Sequence, residues 1–213
     1  MEFIQFFLHI DKHLVDVITH YGFWTYLILF LIIFCETGLV VTPFLPGDSL
    51  LFATGALAAK YPGEPLNVGL VFAILTIAAI LGDSLNYTIG SFLGKKMIEK
   101  KIPFVKKEYI EKTHQFYEKY GPKAIVLARF VPIVRTFAPF VAGIGKMSYR
   151  TFFIYNVVGG IAWVSIFIFG GYWVGNIPII QKNFSIVTIL IILISIMPIF
   201  IEWVKHRKQK SKK

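Results

Sequence analysis

Residues 124–146 read AIVLARFVPIVRTFAPFVAGIGK. The run is apolar, yet it is interrupted by Arg129, Pro132, Arg135, Pro139, Gly143 and Gly145. Proline inside a helix removes a backbone donor and crowds the preceding turn. The pattern therefore predicts not one straight span but a re-entrant hairpin over 124–147, with its breaks at Pro132, Pro139 and Gly143. Such irregular backbone is tolerated at membrane depth only where protein buries it or a watery cavity borders it.

An earlier stretch has the same character. From Trp24 to Cys35 the chain stays apolar for only about twelve residues, about 18 Å of helix, against a hydrocarbon core of about 30 Å. Glu36, Gly38, Pro43, Pro46, Gly47 and Asp48 follow before a second short apolar run, Leu50 to Ala59. This predicts a first hairpin over 24–59, broken at Pro43, Pro46 and Gly47.

Each hairpin leads into a long apolar segment, 67–94 and 148–175, sufficient to span with tilt. The close of the second, Gly171-Tyr-Trp-Val-Gly175, echoes Gly90-Ser-Phe-Leu-Gly94, small residues that permit close helix approach. A final span is expected over 184–204. At the start, residues 1–22 place Phe3, Phe6, Phe7, Ile10 and Leu14 opposite Gln5, His9, His13 and Asp16, an amphipathic interfacial helix. The expected fold is a single all-α integral membrane domain, an inverted repeat of re-entrant hairpin plus transmembrane helix.

Composition agrees with a lipid solvent. Hydrophobic residues make up 56% of the 213 and aromatics 16%, with a mean hydropathy of +0.67, above the level of soluble domains. Glu2 and Asp11 flank the first apolar residues, and no small-residue cleavage site follows, so no cleaved signal peptide is expected. Cys35 is the sole cysteine, which leaves no intrachain disulfide and no thiolate cluster. His9 and His13 stand at helical spacing without a carboxylate or cysteine to complete a set. No metal and no cofactor are expected.

The net charge of +10 is unevenly distributed. Lys and Arg gather in a loop over 95–123, where a surface helix around Lys107 to Tyr120 is expected, and again in the tail 205–213. Both clusters abut apolar segments, which marks cytoplasmic faces and contact with anionic membrane lipids rather than nucleic acid. With that loop inside, the first hairpin dips from outside and the second from inside, and the C-terminus is cytoplasmic.

Five charged residues fall at membrane depth: Glu36, Asp48, Asp83, Arg129 and Arg135. Each costs roughly 2.5–3.5 kcal/mol at a helix centre before pairing or hydration. They can neutralise one another as structural ion pairs. The functional reading rests on their types: two guanidinium forks around a proline suit the oxygens of a phosphate or carboxylate. Glu36 and Asp48 would then couple proton uptake to anion binding. Asp83 with Asn86 and Tyr87 reads equally as a helix-packing hydrogen-bond set or a third proton site. Trp24, Trp163, Trp173 and Trp203 read as interfacial anchors or bundle packing.

Glu36-Thr-Gly, Pro43-Phe-Leu-Pro-Gly-Asp48, Gly82-Asp83 with Asn86-Tyr87, and Arg129-x-x-Pro132-x-x-Arg135-x-x-x-Pro139-x-x-Ala142-Gly143 together resemble the DedA family of VTT-domain membrane proteins over about residues 24–175. The resemblance implies a bacterial inner-membrane protein with two opposed re-entrant hairpins. It implies a role in envelope maintenance, membrane-potential homeostasis and recycling of undecaprenyl phosphate. It also implies that Glu36, Asp48, Arg129 and Arg135 are needed for activity.

The leading expectation is therefore a flippase for a polyprenyl phosphate, with Arg129 and Arg135 on the phosphate and Glu36 and Asp48 as protonatable gates. The alternative is a proton-coupled antiporter of small ions or drugs. A lipid-phosphate phosphatase is disfavoured, because His9, His13, His20, His114 and His206 all lie outside the central spans. The expected partners are an anionic lipid, protons and membrane lipids, without enzymatic chemistry.

Overall fold

The computed structural model describes residues 22–39, 47–60, 66–99 and 107–182. The calls for an amphipathic helix over 1–22, all but its last residue, and for Pro43 and Pro46, the span 184–204 and the basic tail lie outside the described residues. Within them every element is helical. These are α1 (Phe23–Gly38), α2 (Gly47–Lys60), α3 (Val68–Glu99), α4 (Lys107–Tyr120), a 3-10 turn (Gly121–Lys123), α5 (Ala124–Ala128), α6 (Pro132–Ile144), α7 (Tyr149–Gly175) and α8 (Pro178–Lys182).

Local chemistry sets these boundaries. Asn67 Oδ1 accepts the Leu70 N–H at 3.0 Å and caps α3. Ser148 does the same for α7, its Oγ accepting from the Thr151 N–H at 3.3 Å. Gly121 takes φ +59 and, with Pro122 behind it, stops α4. Val131 is extended, as a residue before proline must be, and Pro132 opens α6 at a position where no N–H is needed. Gly47 is likewise the first residue of α2, whose first turn carries Asp48 and last turn Lys60, both favourable to the helix dipole.

Two expectations are corrected. Pro139 and Gly143 do not break the second apolar stretch, because α6 runs through both to Ile144. Donors from other helices tie the same turn to its surroundings, Asn86 Nδ2 on the Thr136 carbonyl and Tyr117 Oη on the Ala138 carbonyl. The break lies instead at Arg129–Val131. The third helix also continues past residue 94, to Glu99.

Two of the described helices are long and apolar enough to cross a membrane, Val68–Phe92 and Tyr149–Gly175. Their outward residues are apolar: Ile77 and Leu81 on α3, and Ile154, Val158 and Ile161 on α7, are all exposed. A soluble core helix would bury such a stripe, whereas lipid accepts it. The short α1 covers 16 residues, about 24 Å and still less than a bilayer core.

The chain forms two compact units. One gathers α2, the C-terminal part of α7 and α8. The other gathers most of α1 and α3 with α4, α5, α6 and α7 as far as Ile166.

The same backbone contact recurs in each unit. In the first, a Cβ placed on Gly55 would lie 2.1 Å from the Ile168 carbonyl, and one on Gly171 would lie 2.1 Å from the Phe52 carbonyl. In the second, a Cβ on Gly143 would lie 2.2 Å from the Tyr87 carbonyl, and one on Gly90 would lie 2.2 Å from the Phe140 carbonyl. Phe52-x-x-Gly55 thus meets Ile168-x-x-Gly171 as Phe140-x-x-Gly143 meets Tyr87-x-x-Gly90. Only glycine permits such approach.

Candidate anion site at the helix breaks

The charged residues converge within the second unit. Glu36 comes from the last turn of α1, Asp83 from the middle of α3, Arg129 from the turn between α5 and α6, and Arg135 from the first turn of α6. With Thr37, Thr136 and Trp163 they line one small cavity. Glu36, Asp83 and Arg129 are each at least nine-tenths buried.

Two ion pairs organise the site. Arg129 Nη2 donates to Asp83 Oδ2 at 2.5 Å and to Asn156 Oδ1 at 2.6 Å. Arg135 Nη2 donates to Glu36 Oε1. Asn156 is itself aimed, because its Nδ2 donates to the Ile80 carbonyl at 3.0 Å and so turns its oxygen toward Arg129. Gly159 leaves room for the arginine stem: a Cβ there would lie 3.2 Å from Arg129 Cδ and Nε.

Trp163 spans both arginines. Its ring centroid is 5.7 Å from Arg129 Cζ and 5.4 Å from Arg135 Cζ, and the residue is only 1% exposed. Of the two readings from sequence, interfacial anchor or bundle packing, the buried position fits the second, and the ring is an aromatic plate under two cations. Trp24 and Trp173 are exposed on α1 and α7.

Asn86 joins the two interrupted helices. Its Nδ2 donates to the Thr37 carbonyl near the end of α1 and to the Thr136 carbonyl in α6, both at 3.0 Å. The end of α1 leaves carbonyls without intrahelical partners, and this amide serves the one on Thr37 while tying it to α6. Tyr87, in contrast, stacks on Phe152 at 4.5 Å and donates to the Met147 carbonyl, which fixes the turn between α6 and α7. From the surface loop, Tyr117 Oη donates to the Ala138 carbonyl at 2.9 Å. Burial, with the Asp83 carboxylate adding to it, pushes the Tyr117 hydroxyl well above its ordinary value and keeps it a neutral donor.

Among the described residues, three buried polar atoms at the site have no hydrogen-bond partner: Glu36 Oε2, Asn86 Oδ1 and Arg129 Nε. Unsatisfied groups of this kind are rare in packed interiors. Here two acceptors and a charge-bearing donor edge are clustered together. Of the residues selected from sequence, Glu36, Asp83, Arg129 and Arg135 share the cavity, with Asn86 beside it. Asp48, half-buried at the head of α2, belongs to the other unit, and the acid that pairs with Arg129 is Asp83. Asn156, Thr37 and Thr136 were not singled out from sequence. A lone amide inside the apolar run of α7 was the available signal.

The VTT domain model matches residues 45–173, the stretch from the approach to α2 almost to the end of α7. The chain is 54% identical over 210 residues to Protein DedA of Escherichia coli (strain K12), covering 98% of this chain and 95% of that protein. This chain belongs to the DedA family. Other DedA relatives include an uncharacterized membrane protein, Rv0364, of Mycobacterium tuberculosis (strain ATCC 25618 / H37Rv), 41% identical over 171 residues, 80% of this chain and 74% of the relative. The inner membrane protein YqjA of Escherichia coli (strain K12) is 35% identical over 159 residues, 74% of this chain and 70% of that protein. No solved structure matches. The match to the DedA domain includes Asp83, Arg129, Arg135, Asn156 and Trp163, and Glu36 lies upstream of it.

Proposed function

We propose that this DedA-family protein is a membrane transporter that moves a polyprenyl phosphate, of the undecaprenyl phosphate class, across a bacterial inner membrane. The observation that carries the reading is the pair of buried guanidinium groups, Arg129 and Arg135, lining one cavity over a shared tryptophan, each held by a carboxylate that an incoming oxyanion can replace. Planar forks with several donors match phosphate oxygens. The headgroup would sit between the arginines, and the prenyl tail would remain in lipid beside the apolar outer faces of α3 and α7. Glu36 and Asp48 are the proton-linked gates of this reading, and the basic loop and C-terminus face the cytoplasm. The protein moves its substrate without making or breaking bonds in it.

The test is headgroup translocation of undecaprenyl phosphate in proteoliposomes, with and without a proton gradient, for wild type and Arg135→Ala. The reading expects protein-dependent flux that the substitution abolishes and that responds to the gradient. Absence of flux in wild type overturns it and assigns the arginines to a small ion, the proton-coupled antiport reading.

A further inference from the structure

Asp83 is an acid that its helix holds in place at the site. It lies mid-helix on α3, 5% exposed, and its neighbour Gly82 is pressed against α1, where an added Cβ would lie 2.9 Å from the Phe34 carbonyl. Glu36 stands two residues from the end of α1. The groups that face Asp83 come from every helix around it: Arg129 from the turn before α6, Arg135 from α6, Glu36 from α1, Asn156 and Trp163 from α7, and Tyr117 from α4.

Among the described residues lining the cavity, two guanidinium groups face two carboxylates. A phosphate monoester brings one to two further negative charges near neutral pH. Uncompensated charge in a poorly solvated site is prohibitive, and protonation is the ordinary escape. For a carboxylate locked in place, protonation is the sole escape. Asn156 supplies what the exchange also needs, a neutral acceptor 2.6 Å from the same Arg129 nitrogen, which keeps the guanidinium in register when the acid lets go.

On the reading of the site as an oxyanion site, we propose that Asp83 is the resident counter-ion of Arg129 and takes up a proton when a phosphate monoester replaces it, with Asn156 as the positioning residue that retains the arginine. The step balances simply. A proton from bulk water binds Asp83 Oδ2, the ion pair to Arg129 Nη2 opens, and the guanidinium donates to a phosphate oxygen. No heavy-atom bond forms or breaks. The shared ligand chemistry is a tetrahedral phosphate, on a lipid headgroup or free.

The experiment measures proton uptake on binding to the full chain in detergent, by calorimetry in buffers of different ionisation heat. The probes are farnesyl phosphate and inorganic phosphate, so that a lipid headgroup and a free anion are distinguished by which one binds. Wild type is compared with Asp83→Asn at each pH, so that the ligand's own ionisation cancels. The expected result is about one proton fewer taken up by Asp83→Asn, together with tighter binding at alkaline pH. Equal uptake by an Asp83→Asn protein that still binds overturns the proposal.

Asn156→Asp serves where Asp83→Asn does not fold. A second acid on Arg129 should weaken binding at neutral pH at least tenfold and raise proton uptake, whereas unchanged affinity and uptake overturn the proposal. If wild type binds neither probe, or if Arg129→Ala and Arg135→Ala leave binding unchanged, it is the oxyanion reading itself that fails.

Discussion

Trp163, wholly buried on α7, holds its ring 5.4 Å from the guanidinium carbon of Arg135. The same ring lies 5.7 Å from that of Arg129, so one side chain sets where two cations can sit. A desolvated cation–π contact contributes about 2 kcal/mol, comparable to a good hydrogen bond to a charged group.

Replacing that ring should separate packing from electrostatics. Trp163→Ala removes a fully buried aromatic, a loss of about 3–5 kcal/mol in stability, and should abolish anion binding as the arginines lose their common support. Trp163→Phe should fold and bind more weakly. Thermal melts and phosphate titrations of both variants check this, and full binding by Trp163→Ala would show the ring to be simple filler.

Arg135→Ala should destabilise the fold as well as abolish transport. It strands the Glu36 carboxylate in the interior, at a cost of about 3–5 kcal/mol for a broken buried pair. Adding Glu36→Gln should restore much of the lost melting temperature and none of the transport. Arg135→Lys should also fail in transport, since an ammonium lacks the planar fork. A double variant no more stable than Arg135→Ala would remove the ion pair from the account.

Gly170 and Gly171 are neighbours that should respond oppositely to alanine. A Cβ at Gly170 meets nothing within 4 Å, so Gly170→Ala should stabilise the helix by up to about 1 kcal/mol. At Gly171 the Cβ would strike the Phe52 carbonyl at 2.1 Å, and overpacking of this kind costs about 1–3 kcal/mol or more. Gly143→Ala in the other unit should behave like Gly171→Ala. Detergent melts of the three variants provide the comparison.

Tyr117→Phe removes the hydroxyl that α4 donates to the Ala138 carbonyl. A hydrogen bond of this kind is worth about 1 kcal/mol, and its loss falls on the helix that carries Arg135. Faster hydrogen exchange in α4 and the second half of α6, with membrane insertion unchanged, is the expected outcome.

The sequence by itself determined that the chain leaves a regular helix before Pro132 and that charges are buried beside such a break. Both follow from local facts: Pro132 cannot donate, the apolar run from Trp24 is too short to span, and lipid tolerates neither an open carbonyl nor a lone guanidinium. The family motif was legible for the same reason, being built from those residues. Which acid pairs with which base was not legible. Asp83 reads from sequence as a packing group or a third proton site, and Arg129 meets it because α3 brings it there. Trp163 and Asn156 sit in the apolar run of α7, where a step of one residue turns a side chain by about 100° and exchanges lipid for the site. Pro139 was misjudged because its local effect is to break a helix, whereas α6 continues through it in a turn that Asn86 and Tyr117, distant in sequence, tie to other helices. Local backbone chemistry fixed the breaks, and the rotation and approach of whole helices chose the partners.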